Sequence, residues 1–184
     1  MNETLKTIAT RYSCRGYKDT PLTDAQIKAV AEAAIQAPSA MNRQAWRIIM
    51  LSDRVLIDEI EKLGLDIFAA QEDKSAYNRI MSRGGKIFYN APVMAVVAVD
   101  PSHPLASMDC GIVCENIALA TTSLGLGNVI CGMACAPLNG DAGAGLRRKL
   151  QFPEGFTCGC AVLLGTPADA GKPHEPDQSK IIYI

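Results

Sequence analysis

Histidine is nearly absent from this chain: His103 and His174 are the only two among 184 residues. Neither stands beside an obvious nucleophile or a metal-ligand set, so triad and zinc-hydrolase schemes find little support. An excess of one charge is lacking too. Lys and Arg together number 18 against 19 Asp and Glu, for a net charge of -1. No basic stripe is available to meet the phosphates of a nucleic acid. The longest apolar runs, 93–99 and 117–126, are too short or too interrupted for a membrane span. The opening residues Met1 to Lys6 lack the basic-then-apolar plan of a signal peptide. The expectation is a cytoplasmic protein with neither nucleic acid nor membrane as partner.

A dinucleotide-binding fingerprint is missing as well. Gly125-Leu126-Gly127 supplies two glycines, but Ile130 stands where the third belongs. The run also follows a helical pattern and precedes a strand, the reverse of the required order. Any NAD(P)H would therefore bind transiently over another cofactor. A disulfide framework is equally unsupported, because the seven cysteines are odd in number and set among apolar residues. Cys110 and Cys114 stand four apart, as do Cys131 and Cys135, while Cys158 and Cys160 flank Gly159. Small buried packers in a reducing compartment explain most of them better than a metal or iron–sulfur site does.

What is present suits one domain, 1–184, with a real hydrophobic core: 48% hydrophobic and 20% charged residues. Leu5 and Ile8 begin a short helix. Thr23 and Gln26 form a capping box before Ile27, Val30, Ala31, Ala34 and Ile35 at helical spacing, and Pro38 ends that helix. Trp46 to Leu51 reads as a strand, and Asp53 caps a second helix carrying Leu56, Ile57, Ile60 and Leu63. The pattern weakens from Gly64 to Asn90, where Gly84-Gly85 suggests a flexible turn and a mobile lid over a pocket. Val93 to Val99 reads as a strand buried on both faces. Leu105 to Leu124 reads as a helix apolar nearly all round, hence central and buried, with Glu115 and Asn116 making structural bonds. A strand at 128–131, a helix at 144–150 and a strand at 160–164 follow. Residues 166–184 form an extended polar tail that closes on Ile181-Ile182-Tyr183-Ile184, an apolar end suited to docking on its own sheet edge or a partner's.

Two segments carry candidate chemistry. Arg11, Ser13 and Arg15 alternate, so an extended backbone projects them to one side, where guanidinium forks suit a phosphate or a polyol. Taken alone, they also suit a solvated charged loop. The stretch Ala37-Pro38-Ser39-Ala40-Met41-Asn42-Arg43-Gln44-Ala45-Trp46 is richer than a connector requires. Its Ser39, Asn42 and Gln44 can surround a flat heteroaromatic ligand while Trp46 anchors the strand behind. Read together, the two segments point to a flavin mononucleotide site. A chain short of acid–base equipment that holds such loops borrows its chemistry from a cofactor.

In this order and spacing the motifs resemble those of the FMN-dependent nitroreductase family along almost the whole chain. The Arg-x-Ser-x-Arg element at Arg11–Arg15 and the 37–46 stretch are similar to that family's flavin motifs, with Ala45 replacing the usual proline. Ala91-Pro92, Asp109-Cys110-Gly111, Glu115-Asn116 and Leu124-Gly125-Leu126-Gly127 also fit, as does the Leu-Gly-x-Pro ending at Pro167.

The resemblance implies an α+β fold, a mostly antiparallel four- to five-stranded sheet ringed by helices, in an interlocked homodimer with FMN at the interface. It places Arg11 on the phosphate, and Ser13 and Arg15 along the ribityl chain and ring edge. Pro38, Ser39 and Asn42 reach the flavin from the other subunit, and Gln44 of the same motif is a further cofactor-binding residue. Arg83 and Lys86 fall on the pyrimidine side, and Cys131 and Gly132 face flavin N5. Lys172, ahead of His174 and Lys180, stands for the family's C-terminal phosphate contact. The implied reaction is ping-pong transfer from NAD(P)H to a small acceptor such as a nitroaromatic or quinone, the flavin N5 carrying the chemistry without a catalytic side chain. Flavin-destroying and dehalogenating members fall within the same resemblance. The alternative from another class is a non-catalytic flavin-binding or cysteine-based redox-sensing protein.

Overall fold

The computed structural model describes residues 1–184. Val93–Val99 (β2) is buried at every position and forms the middle of the molecule. Its side chains alternate between two apolar layers. Met94 and Val96 join one cluster with Ile57, Ile60, Phe88 and Leu138, while Val93, Ala95 and Val97 join another with Val30, Trp46, Val113 and Ile117. Burial on both faces is why this strand reads as a continuous apolar run instead of an alternating one.

Three further strands complete an antiparallel sheet: Trp46–Leu51 (β1), Gly127–Cys131 (β3) and Thr157–Gly165 (β4), in the order β1-β2-β4-β3. The β2–β4 register slips between Val97 and Ala98, where Cys160 and Cys158 are the successive partners and Gly159 is the extra residue. Such a bulge turns the side chains on its two sides to opposite faces. Cys158 accordingly lies in the first cluster and Cys160 against the second. A Cβ on Gly159 would stand 2.8 Å from Cys110 Sγ, so glycine is required by close packing there.

Seven helices cover the faces: Glu3–Thr10 (α1), Asp24–Ile35 (α2), Arg54–Ala70 (α3), Ser75–Met81 (α4), Ala106–Ser123 (α5), Cys135–Asn139 (α6) and Ala144–Lys149 (α7). The Thr23–Gln26 capping box forms as its spacing implies, and the Asp53 carboxylate accepts from the backbone of Val55 and Leu56 to start α3. That helix continues past Gly64, where the apolar pattern weakens. Gly64 is there for closeness, since a Cβ would stand 2.8 Å from Ile87 Cδ1. The expected lid is thus largely helical, and it contributes Phe68, Ile80, Ile87 and Phe88 to the core. Gly84 and Gly85 do turn, at φ 89° and 70°.

Two further expectations need correction. Helix α5 buries one face only, and Met108, Gly111 and Glu115 are exposed on the other. Its uniform apolarity does not report uniform burial within the chain. Glu115 is therefore not a buried oddity, whereas the Asn116 amide does make the expected structural bond, donating to Ala33 O at 3.0 Å. The tail returns to the N-terminal segment through Ala168 N–H to Gly16 O (3.0 Å) and Tyr12 OH to Asp169 O (3.3 Å). It then ends with Ile181–Ile184 exposed on no sheet edge of their own chain.

Candidate functional site

The 11–15 segment is fixed by the edge of β3. Cys14 N–H donates to Asn128 O at 2.8 Å, and Ser13 bridges Asn128 as a short parallel pairing. Asn128 is buried and its amide donates to Ala118 O and Thr122 Oγ1, both at 3.0 Å, so the docking strand is itself locked to α5. Tyr17 OH donates toward Cys14 O (3.0 Å) and Leu163 O (3.3 Å), and burial pushes its pKa well above the usual phenol value. Cys14 turns into the core while Ser13 and Arg15 face out, as alternation requires.

Ser13 and Arg15 line a hollow of about 290 Å³ together with Tyr12, Gly171 and Lys172. The sequence pairing of Lys172 with this segment is therefore spatial as well. Its ammonium, however, is taken up by Glu175 at 2.9 Å. Arg11 lies outside this hollow, half-buried, with no ion pair in the chain.

A second cavity, about 340 Å³, opens on the face covered by α3, α4 and α6. Phe68, Ile80, Ile87, Tyr89 and Met133 supply apolar walls, and Arg79, Arg83, Lys86 and Gly132 the polar positions. A Cβ at Gly132 would meet nothing within 4 Å, so the backbone there is open to a ligand. Cys131 precedes it but is buried in the core, where desolvation pushes its thiol up to about 11. It stays protonated at neutral pH, outside the cavity lining.

Lys86 is positioned by a residue that sequence reading missed. Glu61, only 3% exposed, holds Lys86 Nζ at 3.0 Å with one carboxylate oxygen and accepts from Phe88 N–H at 2.8 Å with the other. A buried carboxylate survives only with such partners. Its sequence signal is a lone Glu on the apolar face of α3, next to the core residue Ile60.

The 37–46 stretch lies elsewhere. Ala37 and Trp46 pack in the α2/α5 cluster, and Ala40 N–H donates to the buried Asp109 at 3.3 Å. Asp109 Oδ2 in turn faces His103 Nε2 at 3.5 Å. Met41, Asn42 and Gln44 all adopt positive φ, near 50°. Three left-handed non-glycine residues so close together are costly and persist only where surroundings impose them. Ser39 Oγ accepts from Gln44 N–H at 2.9 Å, and Gln44 Nε2 donates to Asn42 Oδ1 at 2.8 Å. Pro38, Ser39, Asn42 and Gln44 line neither cavity.

The match that decides the family covers residues 8–166, which fit the model described as the nitroreductase family. The chain belongs to the nitroreductase family. A nitroreductase with bound FMN from Desulfitobacterium hafniense is 52% identical and superposes with a TM-score of 0.97, over 100% of this chain and 99% of that one. A second FMN-bound nitroreductase, from Bacteroides fragilis, is 27% identical with a TM-score of 0.92 over 100% of both chains. An Archaeoglobus fulgidus protein, provisionally named NADH dehydrogenase/NAD(P)H nitroreductase, is 32% identical over 96% of this chain and 92% of its own length. The nitroreductase fold expected from the motifs is thus the observed one, with four strands. No helix is long and apolar enough to cross a membrane.

Proposed function

We propose that this nitroreductase-family protein is an FMN-dependent oxidoreductase that takes reducing equivalents from NAD(P)H and passes them, by a ping-pong mechanism, to a small electrophile such as a nitroaromatic or quinone. The observation that carries the reading is the cavity that joins the open Gly132 backbone to Lys86 and Arg83 between apolar walls. Those walls suit a flat ring, and the cations suit the negative charge that accumulates on its pyrimidine side. Ser13 lies beside Asn128, and Gly132 directly follows the same strand, so about 13 Å of strand separates the two places. An elongated ligand with a ring at one end and a phosphate at the other would bridge the two places.

Bound FMN would supply hydride transfer at its N5; the protein's part is binding, orientation and exclusion of water. Arg83 and the Glu61-held Lys86 would present fixed charge to the pyrimidine edge. Gly132 would bring backbone to the ring. Ser13, Arg15, Arg11 and Lys172 would hold the polar chain and phosphate, Lys172 after release from Glu175. Cys131 would serve by packing beneath.

We place the protein in the cytoplasm as a homodimer with FMN at the interface. The strained 38–44 loop sits away from its own cavity, and the outer face of α5, Ile130 and the 181–184 end remain uncovered in one protomer. A second copy would bring Pro38, Ser39, Asn42 and Gln44 to the ring. Steady-state rates with NADH and NADPH, against a quinone and a nitroaromatic, test the reaction. Parallel double-reciprocal lines are expected. Flavin binding without turnover would instead favour a sensor.

A further inference from the structure

Six of the seven cysteines gather around the bulged stretch of β4, and their arrangement is selective. Cys135 Sγ lies 3.7 Å from Cys158 Sγ. The bulge at Gly159 turns Cys160 toward the other face, into contact with Cys114, and leaves Cys158 as the cysteine in sulfur contact with Cys135. Cys135, in the first turn of α6, is half-exposed, while Cys158 is buried.

The backbones that carry the pair are already held in register. At the far end of α6 the Asn139 side chain brackets Cys158, donating to its carbonyl at 3.0 Å and accepting from its N–H at 2.7 Å. At the near end Cys135 Sγ also reaches Gly159 O at 3.4 Å. Closing the sulfurs from 3.7 Å to the roughly 2.05 Å of a disulfide is therefore a task for side-chain rotation, with the two elements kept in place.

We propose that Cys135 and Cys158 are an oxidisable dithiol that a peroxide closes into a disulfide, fastening α6 to β4 behind the Gly132–Ala136 wall of the cavity. Cys135, the accessible sulfur, attacks one peroxide oxygen as thiolate, the O–O bond breaks, and hydroxide leaves with Cys135 as sulfenic acid. Cys158 sulfur then attacks the Cys135 sulfur and the S–O bond breaks. The Cys158 proton leaves with that oxygen as water. In sum two thiols and one hydrogen peroxide give one disulfide and two waters, the sulfurs oxidised by two electrons and the peroxide reduced by two. The sulfur–sulfur contact with Cys158 holds the Cys135 thiol below its usual pKa, which favours Cys135 as the attacking group.

The test is hydrogen peroxide treatment of the purified full-length protein, followed by alkylation, thiol titration in denaturant and tryptic mapping. The chain is expected to lose two of its seven thiols and to gain a reducible cross-link between peptides 87–147 and 150–180. Cys135→Ser and Cys158→Ala should each abolish the cross-link, and Cys160→Ser should keep it. Circular dichroism on each variant verifies folding, and either of the first two variants suffices. A cross-link that survives in a folded Cys135→Ser or Cys158→Ala protein would overturn the proposal. So would a wild-type protein that retains all seven thiols, or that accumulates sulfinic acid at Cys135 with Cys158 still free.

Discussion

Replacing Glu61 separates its two bonds and tests whether this buried carboxylate builds the cavity. Glu61→Ala leaves Phe88 N–H without a partner in a fully buried setting, a cost of about 1–3 kcal/mol. It also strands Lys86, but that side chain is 42% exposed and can rehydrate, so the lost ion pair adds only about 1 kcal/mol instead of the larger penalty of a sealed pair. The summed loss is about 2–4 kcal/mol. Glu61→Gln keeps an acceptor for Phe88 N–H and removes only the carboxylate charge that pairs with Lys86, so it should cost about 1 kcal/mol. Urea denaturation of the three proteins in one buffer measures the order wild type, Gln, Ala. If Gln and Ala were equally destabilised, the Phe88 bond would be energetically silent and the reasoning refuted. An FMN titration of the Gln variant adds a site readout, because an unanchored Lys86 should weaken binding while the fold holds.

Other outcomes follow from the same geometry. Arg11→Ala should lower FMN affinity about 10–100-fold, the worth of a charge-assisted phosphate contact, and unchanged affinity by fluorescence titration would remove Arg11 from the site. Gly143→Ala should destabilise by about 1–3 kcal/mol in a thermal melt, since its Cβ would clash with Pro137 O, a backbone atom that cannot step aside. Cys131 links stability to pH. Its thiol is held at about 11 in the fold against 9.0 ordinarily, so the folded state keeps a proton that the unfolded chain releases. Stability is fully present below about pH 9 and falls as pH rises toward 11, by about 2–3 kcal/mol from this group. Cys131→Ala should flatten that part of the pH profile, and an unchanged slope would contradict the assignment.

Local rules made much of the fold legible. Thr23 and Gln26 announce α2, Asp53 announces α3, and the valine run 93–99 coincides with β2, because caps and double-sided burial leave marks on neighbouring residues. The 64–90 region hid its helices because Gly64 serves a tertiary contact with Ile87, and Gly84-Gly85 lie just beyond α4. Long-range pairing is likewise invisible in one dimension. Nothing near Glu61 in sequence marks Lys86 as its partner, 25 residues on. The site motifs stood out by residue type, yet their placement on two faces of the sheet depends on topology. The turn of Cys158 away from Cys160 depends on a single inserted residue, Gly159.

The most direct measurement is the absorbance spectrum of the purified protein, before and after anaerobic addition of NAD(P)H. Flavin bands near ~370 and ~450 nm that bleach on addition are the predicted result. A colourless protein that takes up no added FMN would contradict the account.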